Sequence, residues 1–169
     1  LKIGNRRWGI GVLLAVGVLV NYLDRLSISV AAPKLQEELH LTPVQIGLLL
    51  SAFFWSYSLA QLPSGMLLDR FGVTRVGRVG AFLWTLASTL TALSTGYAGI
   101  FIARMLLGVA EAPGMISCQK ATGYWFPRHE RSRSTAVFDS AAKFSNVIGV
   151  PLVAFFIFHF GWRWGFGIT

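Results

Sequence analysis

Two adjacent ionisable residues, Asp24 and Arg25, interrupt an apolar segment that is long enough to cross a membrane. No charge occurs between Trp8 and Val20, and residues 27–32 return to small and apolar side chains. An ionised side chain at the bilayer centre costs at least about 2.5–3.5 kcal/mol, so it needs a partner, an aqueous cavity or a function. Consecutive helical residues point about 100° apart, so we expect these two side chains to face different neighbours.

A second pair of charges, Arg104 and Glu111, lies seven residues apart in another apolar segment. Seven residues are about two helical turns, so both side chains are expected on one face, where Gly108 leaves room for a ligand or a neighbouring helix. Counted at about 1.5 Å per residue, Arg104 should lie level with Asp24 and Arg25, and Glu111 should lie nearer the midplane. Arginines at this depth can attract an anionic substrate, and carboxylates can take up protons. The alternative is a static network of ion pairs that joins two helices.

A third group of polar residues, Asp139, Lys143 and Asn146, follows a spacing of four and three that forms one helical stripe. Asp139 and Lys143 can pair within the helix and face the interior of the bundle. Lys143 can instead contact the substrate, and the spacing leaves both possibilities open. The three histidines show no metal-ligand spacing, and no nucleophile, phosphate-loop or Cys/His motif occurs. We therefore predict no metal site, no cofactor and no enzymatic activity.

The composition indicates an integral membrane protein. The chain is 54% hydrophobic and 13% charged, whereas a soluble domain carries about 25% charged residues. The net charge of +8 could suggest a nucleic-acid partner. We exclude that class because the basic residues lie at the ends of the apolar segments, where they meet lipid headgroups. The segments are too long and too continuously apolar for β-barrel strands, so we predict an all-α fold.

The pattern predicts residues 1–169 as one transmembrane helical bundle that is a fragment of a longer protein. The expected spans are residues 8–32, 44–68, 79–93, 98–121 and 134–160, with the start of a sixth at 162. A polar link over 33–43, a basic turn over 69–78 and a charged loop through Arg133 should separate some of them. Alternate links contain most of the basic residues, which predicts a cytoplasmic N-terminus. Those residues are Lys2, Arg6, Arg7, Arg70, Arg75, Arg78, Arg128, Arg131 and Arg133.

The basic turn contains the most specific motif in the chain, Gly-Met-Leu-Leu-Asp-Arg-Phe-Gly-Val-Thr-Arg over residues 65–75. It resembles the signature between helices two and three of the major facilitator superfamily. We expect Arg70 and Arg75 to pair with Asp69, Gly65 to permit close helix approach and Gly72 to permit the tight turn. Together these five residues are expected to form a conformational latch, a set of contacts that breaks when the two halves of a transporter move.

Three further segments resemble the anion:cation symporter family within that superfamily. They are Asn-Tyr-Leu-Asp-Arg at 21–25, the Arg104–Pro113 segment, and Trp-Phe-Pro at 125–127 followed by Glu130-Arg131. The resemblance implies the N-terminal six-helix half of a twelve-helix fold, truncated at the start of helix six, with the C-terminal half missing. It also implies proton coupling at Asp24 and Glu111, and substrate binding or gating at Tyr22, Arg25 and Arg104. Helix five departs from the sugar-acid members, which have Asn-Ser-x-Gln where this chain has Asp-Ser-Ala-Ala followed by Lys143.

The residues and the resemblance together predict a secondary active transporter that moves a small organic anion with protons by alternating access. The substrate is expected to be a sugar acid or another carboxylate, and the proton gradient is the expected driving force. We place the full-length protein in the bacterial inner membrane as a monomer in contact with the lipid bilayer. The alternatives are an anion uniporter or exchanger, an efflux antiporter of the same fold, and a non-transporting membrane scaffold or sensor.

Overall fold

The computed structural model describes the backbone of residues 3–167 and the side chains of residues 6–167, and it contains helices and no strand over that range. Lys2, one of the basic residues counted above, lies outside the described residues. The helices are α1 (Ile3–Glu38), α2 (Pro43–Phe71), α3 (Val73–Leu93), α4 (Tyr97–Trp125), α5 (Arg131–Phe160) and α6 (Trp162–Gly167). A short 3-10 helix, Arg128–Glu130, precedes α5. Within the described range, five helices are long and apolar enough to cross a membrane, so the chain is a multi-pass integral membrane protein.

The helices are longer than the predicted spans, and two of the predicted links are largely wrong. α1 continues through Pro33 to Glu38, because Leu35 in its last turns is fully buried in the core. The predicted basic turn over 69–78 shortens to the single residue Gly72, between Phe71 and Val73. Gly72 has a φ of +82°, a left-handed conformation that glycine adopts without a Cβ clash. The basic residues of this region therefore lie on helix ends.

Small residues set the main helix pairs. α1 packs most extensively against α5, α2 packs against α4, and α3 lies mainly on α4. Gly149 of α5 faces the side chains of Leu23 and Leu26 in α1. A Cβ at Gly108 of α4 would lie 2.5 Å from the carbonyl oxygen of Phe53 in α2, so the two backbones are in direct contact there. Gly108 thus makes room for a neighbouring helix, one of its two predicted uses.

Polar contacts tie the bundle together at both ends. At the end where α1 begins, Arg7 donates to Glu130 at 2.9 Å, and Trp8 packs edge-on against Phe126. At the opposite end, Glu38 accepts hydrogen bonds from the indole of Trp162 at 2.7 Å and from Arg163 at 3.1 Å. A large apolar cluster that includes Leu35, Leu49, Ile100 and Trp162 fills that end. These contacts position the ionisable residues near the middle of α1 and α4.

Candidate functional site

Four ionisable side chains from α1 and α4 gather in the interior of the bundle. Asp24 is 0% exposed, Arg104 2% and Glu111 3%, and Arg25 is partly buried. We call these four residues the charged cluster. The cluster contains two carboxylates and two guanidiniums, so with all four ionised its charges balance. An ion that is buried without a partner is costly, and this balance lets the four charges lie together in an apolar bundle.

Arg25 of α1 and Glu111 of α4 form an ion pair within the cluster. Arg25 Nε donates to Glu111 Oε2 at 2.8 Å, and the Glu111 side chain is 0% exposed. The second carboxylate oxygen, Oε1, is buried and has no hydrogen-bond partner among the described residues. Glu111 therefore has one oxygen fixed by Arg25 and one oxygen open to a proton or a ligand.

This contact corrects the predicted depths, which placed Glu111 deeper than Arg25. The prediction counted from Ala32, whereas α1 ends at Glu38. Counted from the observed helix ends, Glu38 and Tyr97, Arg25 and Glu111 are almost equally far along their helices. Arg104 lies two turns nearer to the start of α4, yet it remains within electrostatic reach of both carboxylates.

Asp24 is bound by α3, a helix for which the sequence suggested no role in the site. Its Oδ2 oxygen accepts hydrogen bonds from Trp84 Nε1 at 2.7 Å and from Ser88 Oγ at 2.9 Å. Asp24 and Arg25 thus face different helices, as their adjacency predicted. Trp84 and Ser88 were missed, although their spacing of four puts two donors on one face of an apolar span.

Aromatic rings cover the guanidinium of Arg25. Its central carbon lies over the rings of Tyr22, Phe53 and Tyr57, at 5.1, 4.9 and 4.6 Å from their centroids. We call these three residues the aromatic cage. Tyr22, which the sequence resemblance assigned to the substrate, is here a neighbour of Arg25. Such contacts stabilise a desolvated guanidinium through the ring quadrupole and leave N–H groups available.

A cavity of about 210 Å³ between α1, α3 and α4 extends to the charged cluster. Arg25 and Glu111 line it together with Tyr22 and Trp84, and small or apolar side chains form most of its remaining wall. Within residues 6–167, no three His, Cys, Asp or Glu side chains come together in a way that could hold a metal ion. The site can therefore offer a ligand one guanidinium edge, one open carboxylate oxygen and aromatic surface.

The polar residues of α5 are not part of this cluster. Lys143 and Asp139 are both exposed, and no ion pair joins them in the described part of the chain. The predicted pair facing the bundle interior is therefore wrong. α5 instead turns a stripe of small residues toward α1, where Ser145 donates to the carbonyl oxygen of Leu19 at 3.1 Å. That contact leaves Lys143 on an exposed face of α5.

The turn motif differs from the prediction in its ion pair. Asp69 pairs with Lys120 of α4, and among the described residues it has no ion pair with Arg70 or Arg75. The prediction of close helix approach at Gly65 is also wrong, because a Cβ there would meet no atom within 4 Å. The sequence missed Lys120 because it lies 51 residues from Asp69 and its contact depends on how α2 packs against α4.

Comparisons with known proteins agree with this architecture. The family model of the Major Facilitator Superfamily matches residues 14–169. The chain is 47% identical over 163 residues to the uncharacterized transporter YybO of Bacillus subtilis, covering 96% of this chain and 38% of YybO. It is 35% identical to the probable galactarate/D-glucarate transporter GudP of Escherichia coli, covering 94% of this chain and 36% of GudP.

A solved structure shares the fold. The crystal structure of a bacterial homolog to the human lysosomal transporter Spinster, inward-facing and unoccupied, superposes with a TM-score of 0.84 at 18% identity. The match covers 96% of this chain and 40% of that one. The chain thus spans less than half the length of each of these three proteins.

The Asp69–Lys120 pair gives a stability prediction. Asp69 has a side chain that is 77% exposed, so Asp69→Asn and Lys120→Gln should each lower the free energy of unfolding by less than about 1 kcal/mol. Because the two residues are partners, the double variant should lose about as much as one single variant. Thermal unfolding of the purified full-length protein measures this coupling. Arg75→Gln is the control, and coupling of Asp69 to Arg75 instead of Lys120 would contradict the observed pairing.

Proposed function

This chain belongs to the Major Facilitator Superfamily, and we propose that it is the N-terminal half of a secondary transporter that moves a small organic anion together with a proton. GudP and other relatives named as sugar-acid transporters confirm the predicted resemblance to the anion:cation symporter family. Their names are those of transporters and not of enzymes. The second half of the proposed transporter would complete the substrate site between the two halves.

Proton coupling is proposed on the basis of the ion pair between Arg25 and Glu111. The charged cluster has two carboxylates and two guanidiniums, so a substrate carboxylate would give it an excess negative charge. Such an excess is costly in an apolar bundle. A proton on Glu111 removes the excess and releases Arg25 Nε for the substrate. Anion binding and proton binding then favour each other, which is the thermodynamic basis of symport.

Asp24 is the second proposed proton-coupling group, and it differs from Glu111 in its partners. Trp84 and Ser88 donate to it from α3. Hydrogen bonds to a carboxylate are stronger when the carboxylate is charged. Protonation of Asp24 would therefore weaken its attachment to α3. We propose that this links proton uptake at Asp24 to the position of α3 in the transport cycle.

The substrate is proposed to be a carboxylate, such as a sugar acid. Arg104 has two buried nitrogens, Nε and Nη1, that lack a hydrogen-bond partner among the described residues. A guanidinium presents its donors in a planar fork that matches a carboxylate. We propose that Arg25 and Arg104 hold the anion with Tyr22 beside it. Lys143, exposed on α5, is proposed as a third cationic contact.

The whole protein is proposed to be a membrane-embedded transporter. The distribution of basic residues supports a cytoplasmic N-terminus and a bacterial inner membrane protein. We propose a monomer in the lipid bilayer with the proton gradient as driving force.

The turn motif, with Lys120 added, is proposed as a conformational latch. If this motif acts as a latch, Asp69→Asn should slow the transport rate and leave the substrate affinity unchanged.

Glu111→Gln tests proton coupling. In the full-length protein it should abolish uphill, proton-driven uptake, because a permanently neutral side chain cannot exchange a proton. It should still permit exchange of substrate across the membrane. The measurement is uptake of labelled D-glucarate into proteoliposomes with and without a pH gradient. Glu37→Gln, an exposed residue near the end of α1, is the control. Normal concentrative uptake by Glu111→Gln would rule Glu111 out as the coupling group.

Lys143→Ala tests the third contact with probes that differ by one carboxylate. D-glucarate has two carboxylates, D-gluconate has one, and D-glucitol has none. Lys143→Ala should weaken binding of D-glucarate by about 1 kcal/mol, a value typical of an exposed ion pair, and should leave D-gluconate unaffected. Calorimetry on the full-length protein measures both affinities. Unchanged affinity for D-glucarate would remove Lys143 from the site, and tight binding of D-glucitol would overturn the anion assignment.

A further inference from the structure

One aromatic ring, that of Phe53 in α2, contacts both guanidiniums of the charged cluster. The central carbon of Arg25 lies 4.9 Å from the ring centroid, and that of Arg104 lies 5.3 Å from it. The two guanidinium carbons can therefore be no further apart than the sum of these distances. Phe53 is 1% exposed. The ring is thus the shared neighbour of the two proposed anion-binding residues.

The position of Phe53 is fixed from several sides. Its ring stacks on Tyr57 at 5.5 Å with an interplanar angle of 22°, and it packs in a cluster with Ala87 and Leu107. Its backbone lies directly against Gly108 of α4. Gly108 is four residues from Arg104 and three from Glu111 on the same helix. The backbone that carries the ring is thus packed directly against the helix that contains half of the charged cluster.

An aromatic side chain suits this place better than a polar or an aliphatic one. Two like charges repel in a poorly solvated interior, and the negative face of a ring attracts each of them. The attraction uses no N–H group, so the ring does not compete with a ligand for the guanidinium donors. A polar side chain would engage those donors. An aliphatic side chain would desolvate both charges and give no compensating attraction.

We infer that Phe53 is a positioning residue, which holds the guanidiniums of Arg25 and Arg104 against one ring so that one anion can reach both. The inference rests on the proposed binding of an organic anion. It gives α2 a role in holding two arginines that come from α1 and α4. Phe53 acts through the two arginines, so loss of its ring should weaken anion affinity in addition to any loss of packing.

The test compares ring removal with ring retention in the full-length protein. Phe53→Leu should raise the Kd for D-glucarate about tenfold, the equivalent of 1.4 kcal/mol, as expected for loss of desolvated cation–π contacts. Phe53→Tyr, which keeps the ring, should retain most of the wild-type affinity for D-glucarate. Phe54→Leu is the matched control, since Phe54 is the adjacent aromatic residue and is 60% exposed. If Phe53→Leu does not fold in thermal unfolding, Phe53→Met takes its place.

A double-mutant cycle separates positioning from a general packing effect. In an Arg104→Gln background, Phe53→Leu should change the Kd by a smaller factor than it does alone, because one of its two partners is absent. Equal factors in both backgrounds, or wild-type affinity in Phe53→Leu, would overturn the inference. If D-glucarate binding is also insensitive to Arg25→Gln and Arg104→Gln, the proposed anion site itself is wrong. That outcome is distinct from failure at Phe53 alone.

Discussion

The ion pair between Arg25 and Glu111 joins two helices that otherwise have little contact. α1 packs chiefly on α5, whereas α4 packs on α2 and α3, and the α1–α4 interface is much smaller than either. The ion pair, with a distance of 2.8 Å between Arg25 Nε and Glu111 Oε2, connects α1 and α4 near the middle of both helices. A ligand that competes for Arg25, or a proton that neutralises Glu111, therefore acts on the contact between two packed groups of helices. This location connects the chemistry of the site to the arrangement of the bundle.

Charge balance explains why the cluster is tolerated, and it underlies the proposed response to a ligand. Removing one partner of a buried ion pair costs about 3–5 kcal/mol, because the other charge is left uncompensated. An incoming carboxylate can replace Glu111 at Arg25 only if Glu111 is itself neutralised. The aromatic cage supports this exchange, since it holds the guanidinium whether or not Glu111 is bound. The unpartnered oxygen of Glu111 and the adjacent cavity give a proton a place to bind.

The sequence predicted the components of the site better than their contacts. Asp24, Arg25, Arg104 and Glu111 stand out because ionised residues are rare in apolar spans, and the helical spans follow from lipid chemistry. The depth of Glu111 could not be predicted, because Pro33 does not end α1. The contacts of Trp84, Phe53 and Lys120 could not be predicted either, since they depend on packing between distant helices. The spacing of Asp139 and Lys143 wrongly predicted an ion pair within α5, because such a pair contributes only about 0.2–0.5 kcal/mol. The contacts of α5 with α1 determine which face is buried.

An anion and a proton are proposed to bind the charged cluster together. The most direct measurement is calorimetry of D-glucarate binding to the full-length protein in buffers of different ionisation enthalpy, which counts the protons exchanged on binding. We expect uptake of about one proton per D-glucarate bound, because the dianion adds two negative charges to a neutral cluster and the proposed contact with Lys143 offsets one of them. Tight binding of D-glucarate with no proton uptake would contradict it.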